Sequence, residues 1–214
     1  MFVKYWEPGR VKTRLAKRIG ARPAAVIYRS FVAALVTRFA LTGDDRVLCF
    51  APPSQREAFI KAGGSSWRAT AQTEGDLGRR MTTFFEQTFA RGAERVVLIG
   101  SDSPDLPIEY VQQAFRTLEH DDVVLGPTED GGYYLVGMSG LHVEIFAGID
   151  WSTASVWQQT TERITAANLT SAHLPRWYDV DEAADLARLR ARLSAAVGTD
   201  TSLAELLAVL NEVE

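Results

Sequence analysis

Short apolar runs rich in β-branched residues alternate with longer amphipathic stretches along this 214-residue chain, and that alternation restricts the fold more than any other feature. The runs are 46–51 (RVLCFA), 67–71 (WRATA), 95–100 (RVVLIG), 122–126 (DVVLG) and 133–138 (YYLVGM). RVVLIG and DVVLG are almost continuously apolar, as strands covered on both faces are. Between them the pattern predicts helices over 53–62, 76–91, 107–119, 153–167, 181–194 and 201–212. A further helix from Pro23 to Leu41 has Val26, Ile27, Phe31, Ala34 and Leu35 as its buried stripe. Strands separated by helices imply an α/β fold with a mostly parallel central sheet and helices on both faces. No repeat, low-complexity tract or linker interrupts the chain, so a single domain over 1–214 is expected.

Local signals refine these boundaries. Pro107 suits a first helical turn, Thr153 suits an N-cap, and Gly63 and Gly92 sit where helices end. At the N-terminus only Met1-Phe-Val-Lys4 precedes the turn-rich Glu7-Pro-Gly9. Strands usually run about 5–6 residues, so a central strand here is stunted or the start lies upstream; the second is the expectation.

Composition excludes several function classes. The hydrophobic fraction of 46% and charged fraction of 23% are those of a globular protein, and the net charge of −4 argues against nonspecific nucleic-acid binding. Cys49 is a lone thiol inside an apolar run, which suits a buried strand cysteine. His120, His142 and His173 are scattered and form no metal or triad spacing. No apolar run approaches the ~20 residues that span a bilayer. Lys4, Glu7 and Arg10 interrupt any signal-peptide core, so a cytoplasmic protein without membrane or nucleic-acid partners is expected.

Five segments carry candidate chemistry. Pro8-Gly-Arg-Val-Lys-Thr-Arg-Leu15 joins a turn at Gly9 to Arg10, Lys12, Thr13 and Arg14 ahead of helical sequence. Cations at such a turn neutralise a di- or triphosphate, although the Walker A spacing is absent and a solvated basic helix is the alternative. Leu98-Ile-Gly-Ser-Asp-Ser-Pro-Asp-Leu106 puts Asp102 at the carboxyl end of a strand, where a carboxylate can hold Mg²⁺ or Mn²⁺ against phosphate. Asp105 fits better as a cap for the helix near Pro107. Gly126-Pro-Thr-Glu-Asp-Gly-Gly-Tyr-Tyr-Leu135 pairs the acids Glu129 and Asp130 with Gly131 and Gly132, either a ligand-approaching loop or an Asp-Gly turn. Trp177-Tyr-Asp-Val-Asp181 offers Asp181 as helix cap, second metal ligand or both. Gln72–Met81, with Gly78, lines a nucleotide or forms a plain loop.

The order of these segments resembles a bacterial family of glycosyltransferase-like proteins within the GT-A nucleotide-diphospho-sugar transferase superfamily, some labelled arsenosugar-biosynthesis transferases. Lys4 with Pro8–Leu15, Glu74–Met81, Gly100–Leu106, Gly126–Leu135, Ile149–Thr153 and Tyr178–Asp181 carry the likeness over about residues 1–190. It implies a Rossmann-like GT-A domain. Gly9–Arg14, with Lys4, would cradle phosphates; Asp102 would bind Mg²⁺ or Mn²⁺; and Glu129–Gly132 would face the acceptor. Asp181 matches the first acid of the D-T-P-E-D-L ending of related nucleotidyltransferases, where it completes the metal site. Here that ending reads Asp181-Glu-Ala-Ala-Asp-Leu186, without the Thr-Pro.

Two chemistries fit a nucleotide-sugar or NTP and a small acceptor. In glycosyl transfer the cations stabilise a departing nucleoside diphosphate, and Glu129 or Asp130 is the general base if the enzyme inverts. In nucleotidyl transfer the same loop holds pyrophosphate while a sugar phosphate or phospho-acid attacks the α-phosphorus. The dense cations favour the second and the family likeness the first; glycosyl transfer is placed ahead. A non-catalytic nucleotide-binding module is the third alternative, disfavoured by the acids Asp102, Glu129, Asp130 and Asp181.

Overall fold

The computed structural model describes residues 1–195 and 200–213. The chain forms two compact units: Met1–Ala71, Ser101–Leu106 and Asp179–Glu214 make the first, and Gln72–Gly100 and Pro107–Tyr178 the second. It passes between them four times. Because both units are built from interleaved segments, no linker marks a boundary in the sequence, which had pointed to one domain.

The first unit contains β1 (Phe2–Lys4), β2 (Val47–Ala51) and β3 (Arg68–Ala71), all parallel in the order β1-β2-β3. β2 is the middle strand of this sheet, so its residues 47–50 are all buried and apolar. Cys49 lies among them, and burial pushes its thiol up to about 11, the state of a packed cysteine. The first unit also holds α1 (Thr13–Ile19), α2 (Ala21–Arg38), α3 (Arg56–Gly63), α7 (Ala183–Ala195) and α8 (Thr201–Glu212). α2 packs on α1, α3 and α8, and its buried residues include Ala24, Ile27, Tyr28, Phe31, Val32 and Leu35. Of the predicted stripe, Ile27, Phe31, Ala34 and Leu35 are buried, and only Val26 is half exposed. Gly63 ends α3 from inside, and the cap is Gly64, with φ +55.

α8 starts on Asp200, whose carboxylate accepts from the amides of Ser202 and Leu203 and from Arg38 Nε at 2.9 Å. Burial raises the Asp200 pKa, but the Ser202 hydroxyl, Arg38 and the Leu203 amide outweigh it and hold it below the usual carboxylate value. Asp200→Ala is expected to cost about 1–2 kcal/mol at pH 7. A depressed carboxylate contributes stability that is complete above its unfolded pKa of about 3.9 and is lost as pH falls through the folded value. Denaturation at neutral and acid pH should show the penalty of the variant shrinking below about pH 4; a constant penalty would refute this.

The second unit holds β4 (Val96–Ile99), β5 (Val123–Pro127), β6 (Tyr133–Met138) and β7 (Ser171–His173), ordered β4-β6-β5-β7. β6 runs antiparallel to both β4 and β5, and only β5 and β7 are parallel, so this sheet is mixed where a mostly parallel one was predicted. The reason is the Asp130-Gly131 turn, which lets the chain reverse directly from β5 into β6. α4 (Leu77–Phe89), α5 (Ile108–Thr117) and α6 (Val156–Ala166) belong to this unit. Asp76 caps α4 by accepting from the Arg79 amide at 2.8 Å. Thr153 does not cap α6, which begins after Ser155; its hydroxyl donates to the Asp150 carbonyl in the preceding loop. Among the described residues no helix is long and apolar enough to cross a membrane.

Candidate functional site

The β1–α1 connection is held by successive backbone bonds, from Tyr5 N–H to the Ala51 carbonyl, Glu7 N–H to that of Tyr5, and Arg10 N–H to that of Glu7. Gly9 turns at φ +82 with open space around its Cα. Arg10, Thr13 and Arg14 are exposed, whereas Lys12 is buried. Lys12 caps α1 in the left-handed conformation, φ 46 and ψ 46. For a lysine this costs roughly 1–2 kcal/mol, and such backbone persists where the surroundings impose it. They do so through the side chain. Lys12 Nζ donates to Asp102 Oδ1 and, at 3.0 Å, to Asp181 Oδ1. Arg14 follows, 3.9 Å from Asp181 Oδ2.

Asp102 and Asp181 meet because their segments are stapled together. The Val180 amide donates to the Asp102 carbonyl and the Ser103 hydroxyl to Asp179 Oδ1, both at 2.8 Å. From α2, Arg38 donates to the carbonyls of Pro104 and Leu106. Asp105, expected as a helix cap, is buried and accepts from Arg192 Nε at 2.8 Å, while α5 begins after Pro107 without a side-chain cap. The amides of Asp181 and Glu182 donate to Asp185, which frees the Asp181 carboxylate from the capping role and leaves it facing Lys12.

Burial alone would lower the Lys12 pKa, but the charges of Asp102 and Asp181 override it and hold the ammonium above the usual lysine value. Burial likewise raises Asp102, yet Lys12, with help from Lys4, brings it below the ordinary carboxylate value. Under these residues lies Tyr28, its phenol pushed up to about 12 by burial and by the Asp102 charge. Its oxygen accepts from the Lys4 amide at 3.0 Å and shares a 2.7 Å hydrogen bond with Ser101. The end of β1 and the residue before Asp102 thus hang on one hydroxyl. Tyr28→Phe leaves the Lys4 amide and Ser101 hydroxyl short of a partner, a cost of about 1–3 kcal/mol. Urea unfolding checks this; a loss below a few tenths would deny the phenol its bridging role.

The carboxylates suit a hard divalent cation. Two acids from separate segments converge on one cationic point, and their side chains remain 48% and 39% exposed, open to further oxygen donors. Mg²⁺ and Mn²⁺ sites of this kind use one or two carboxylates and complete their shell with phosphate and water. Among the described residues no group of three or more His, Cys, Asp or Glu forms a self-sufficient cage.

The remaining candidates lie in the second unit. Asp130 Oδ1 accepts from the Thr128 hydroxyl at 2.5 Å and the Gly132 amide at 3.1 Å, shaping the turn. Glu129 is exposed, with its amide on the Trp177 carbonyl. Gly131 has φ +92, and a Cβ there would stand 2.3 Å from the Ala154 carbonyl oxygen. Gly132 is less confined, with Thr128 Oγ1 3.2 Å from where its Cβ would be. Gly78 is buried in α4, and a Cβ would lie 2.6 Å from Trp151 Nε1, so helix packing accounts for it.

Sequence reasoning missed Tyr28, Ser101, Ser103 and Arg38, which build the site without facing it. The one available signal was a tyrosine within an otherwise apolar helical stripe.

The family model "Uncharacterized protein conserved in bacteria (DUF2064)" matches residues 35–153. A solved structure from Desulfovibrio desulfuricans G20, provisionally named a nucleotide-diphospho-sugar transferase, is 39% identical. It superposes with a TM-score of 0.88 over 99% of this chain and 95% of its own. CMP:2-keto-3-deoxy-manno-octonic acid synthetase complexed with CTP is 12% identical, with a TM-score of 0.55 over 92% of this chain and 97% of its own. Rv0371c from Mycobacterium tuberculosis H37Rv is 16% identical, with a TM-score of 0.52 over 88% and 95%. At such identities the last two share the fold alone. No curated protein matches the sequence.

Proposed function

The chain belongs to the DUF2064 family, and on that premise we propose that it is a transferase for a nucleotide-activated substrate, moving a glycosyl group from a nucleotide-diphospho-sugar to a small acceptor. The observation that carries this reading is the buried Lys12 ammonium, held in strained backbone against two carboxylates at the end of a basic loop. The name of the 39%-identical relative supports it.

In this reading Lys4, Arg10, Lys12 and Arg14 neutralise the diphosphate and stabilise it as the leaving group when the glycosyl bond breaks. Gly9 lets backbone approach the phosphates closely. Asp102 and Asp181 would hold Mg²⁺ or Mn²⁺, which supplies further positive charge to the departing phosphates. Glu129 or Asp130 takes the proton of the acceptor hydroxyl, and Gly131 and Gly132 shape the acceptor loop. Gly78 supports the nucleotide region through its packing on Trp151.

One observation favours nucleotidyl transfer as the second reading. Asp181 meets Asp102 at a single cation, as the matching acid of related nucleotidyltransferases completes their metal site. Chromatography of reaction products separates the two. Release of nucleoside diphosphate from a nucleotide-sugar supports glycosyl transfer. Release of pyrophosphate from a triphosphate, dependent on a sugar phosphate or phospho-acid, supports the second reading. Neither product across the common nucleotides, with either metal and a broad set of acceptors, would refute the transferase assignment.

A further inference from the structure

Resting on Asp102 and Asp181 as metal ligands, we propose that Lys12 is a resident competitor of the metal, so that the divalent ion enters only as the Lys12 ammonium leaves, a departure that a nucleotide phosphate favours. One cation already holds the oxygens that face each other across the site. Lys12 Nζ contacts Oδ1 of both Asp102 and Asp181. A Mg²⁺ held by those same Oδ1 atoms would need them at about 2.0–2.1 Å, so it would have to take the place of the ammonium. Two cations cannot both sit at bonding distance from that pair of Oδ1 atoms without strong mutual repulsion. The lysine side chain is 2% exposed, and its ammonium also stands 5.6 Å from the Phe31 ring and 5.8 Å from that of Tyr28, so it is seated rather than passing through.

The consequence is linkage between the two ligands. A nucleotide phosphate offers Lys12 an anionic partner elsewhere, and the metal gains the carboxylates that the lysine vacates. Each ligand therefore strengthens the binding of the other, by reciprocity of coupling free energies. A free protein loads metal poorly, and a nucleotide prepares the site for it. This separates Lys12 from Arg14, which approaches Asp181 no closer than 3.9 Å from an exposed position and blocks nothing.

The test is Mn²⁺ binding to the free protein, followed by calorimetry and by the loss of the free-ion paramagnetic resonance signal. Lys12→Met should tighten Mn²⁺ binding by about tenfold or more, within the usual range of coupling between ligands. Arg14→Met, which removes the same charge from the neighbourhood, should change it much less. Lys12→Met should also weaken binding of a nucleoside diphosphate. Unchanged or weaker Mn²⁺ binding in Lys12→Met overturns the proposal, as does an equal gain in Arg14→Met, because charge alone would then account for it. A second measurement needs no variant. In the wild-type protein saturating Mn²⁺ should increase amine labelling of Lys12, read by mass spectrometry; unaltered labelling overturns the proposal even if Lys12→Met fails to fold. Failure of the underlying reading looks different: no Mn²⁺ bound by wild type or variant, with or without nucleoside diphosphate, removes the metal site itself.

Discussion

Asp102→Asn is expected to abolish metal-dependent stabilisation by nucleotide and to lower turnover by about 10²–10³-fold. The substitution preserves shape and leaves an amide oxygen for Lys12, but it removes the charge on which both cation binding and the ion pair depend. Asp102 also differs from its neighbour Asp105 in a way that sharpens the test. Asp105 is buried against Arg192, so Asp105→Asn should destabilise the fold while sparing the metal dependence. Asp102 is half exposed, and its carbonyl rather than its carboxylate carries the staple to Val180, so the framework survives in the asparagine variant. Thermal shifts with and without Mn²⁺, beside steady-state kinetics, distinguish the two. Metal dependence that persists in Asp102→Asn would sink the assignment of Asp102.

Gly131→Ala should cost about 3 kcal/mol or more, the largest stability effect expected in the candidate loops. Two penalties combine. At φ +92 any Cβ strains the backbone, and this one would also stand 2.3 Å from the Ala154 carbonyl oxygen and 2.8 Å from the Ala154 Cα. The obstruction is backbone, which cannot turn aside as a flexible side chain does. Gly9→Ala is the internal control: φ is +82 there with open space around it, so strain of about 1 kcal/mol is all that applies. Chemical denaturation of both variants measures the difference. A Gly131→Ala protein as stable as wild type would mean that the β5–β6 loop is not seated on Ala154.

Much of this architecture was legible because burial on both faces writes continuous apolar runs. Five strands fall within about a residue of the runs that announced them. β7 escaped because Ser171-Ala-His173 is short, half polar and paired on one side only. The antiparallel course of β6 was foreshadowed by Asp130-Gly131, but the same pair also suits a ligand loop, and local sequence does not decide between them. In the site, Asp102 stood out as an acid just past an apolar strand, which has few structural uses, while Asp181, 79 residues on at a helix start, read equally as cap or metal ligand. Their meeting was not legible. It depends on Val180, Ser103, Tyr28 and Arg38, polar contacts between distant segments that leave no periodic trace. The direction of Lys12 was hidden for the same reason: its neighbours Arg10 and Arg14 are exposed, and only the left-handed turn sends Lys12 inward.

The central claim is that the Lys12–Asp102–Asp181 centre receives a nucleotide diphosphate together with a divalent metal. The most direct measurement is a thermal-shift panel of nucleoside triphosphates, diphosphates and nucleotide-sugars, each with and without Mg²⁺ or Mn²⁺. A true ligand at ~100 times its Kd should stabilise the protein by about 2.7 kcal/mol, and the metal should enlarge that shift. Stabilisation by a nucleotide-sugar or its diphosphate that depends on metal is the predicted result. A well-folded sample that responds to no nucleotide, with either metal, would contradict it.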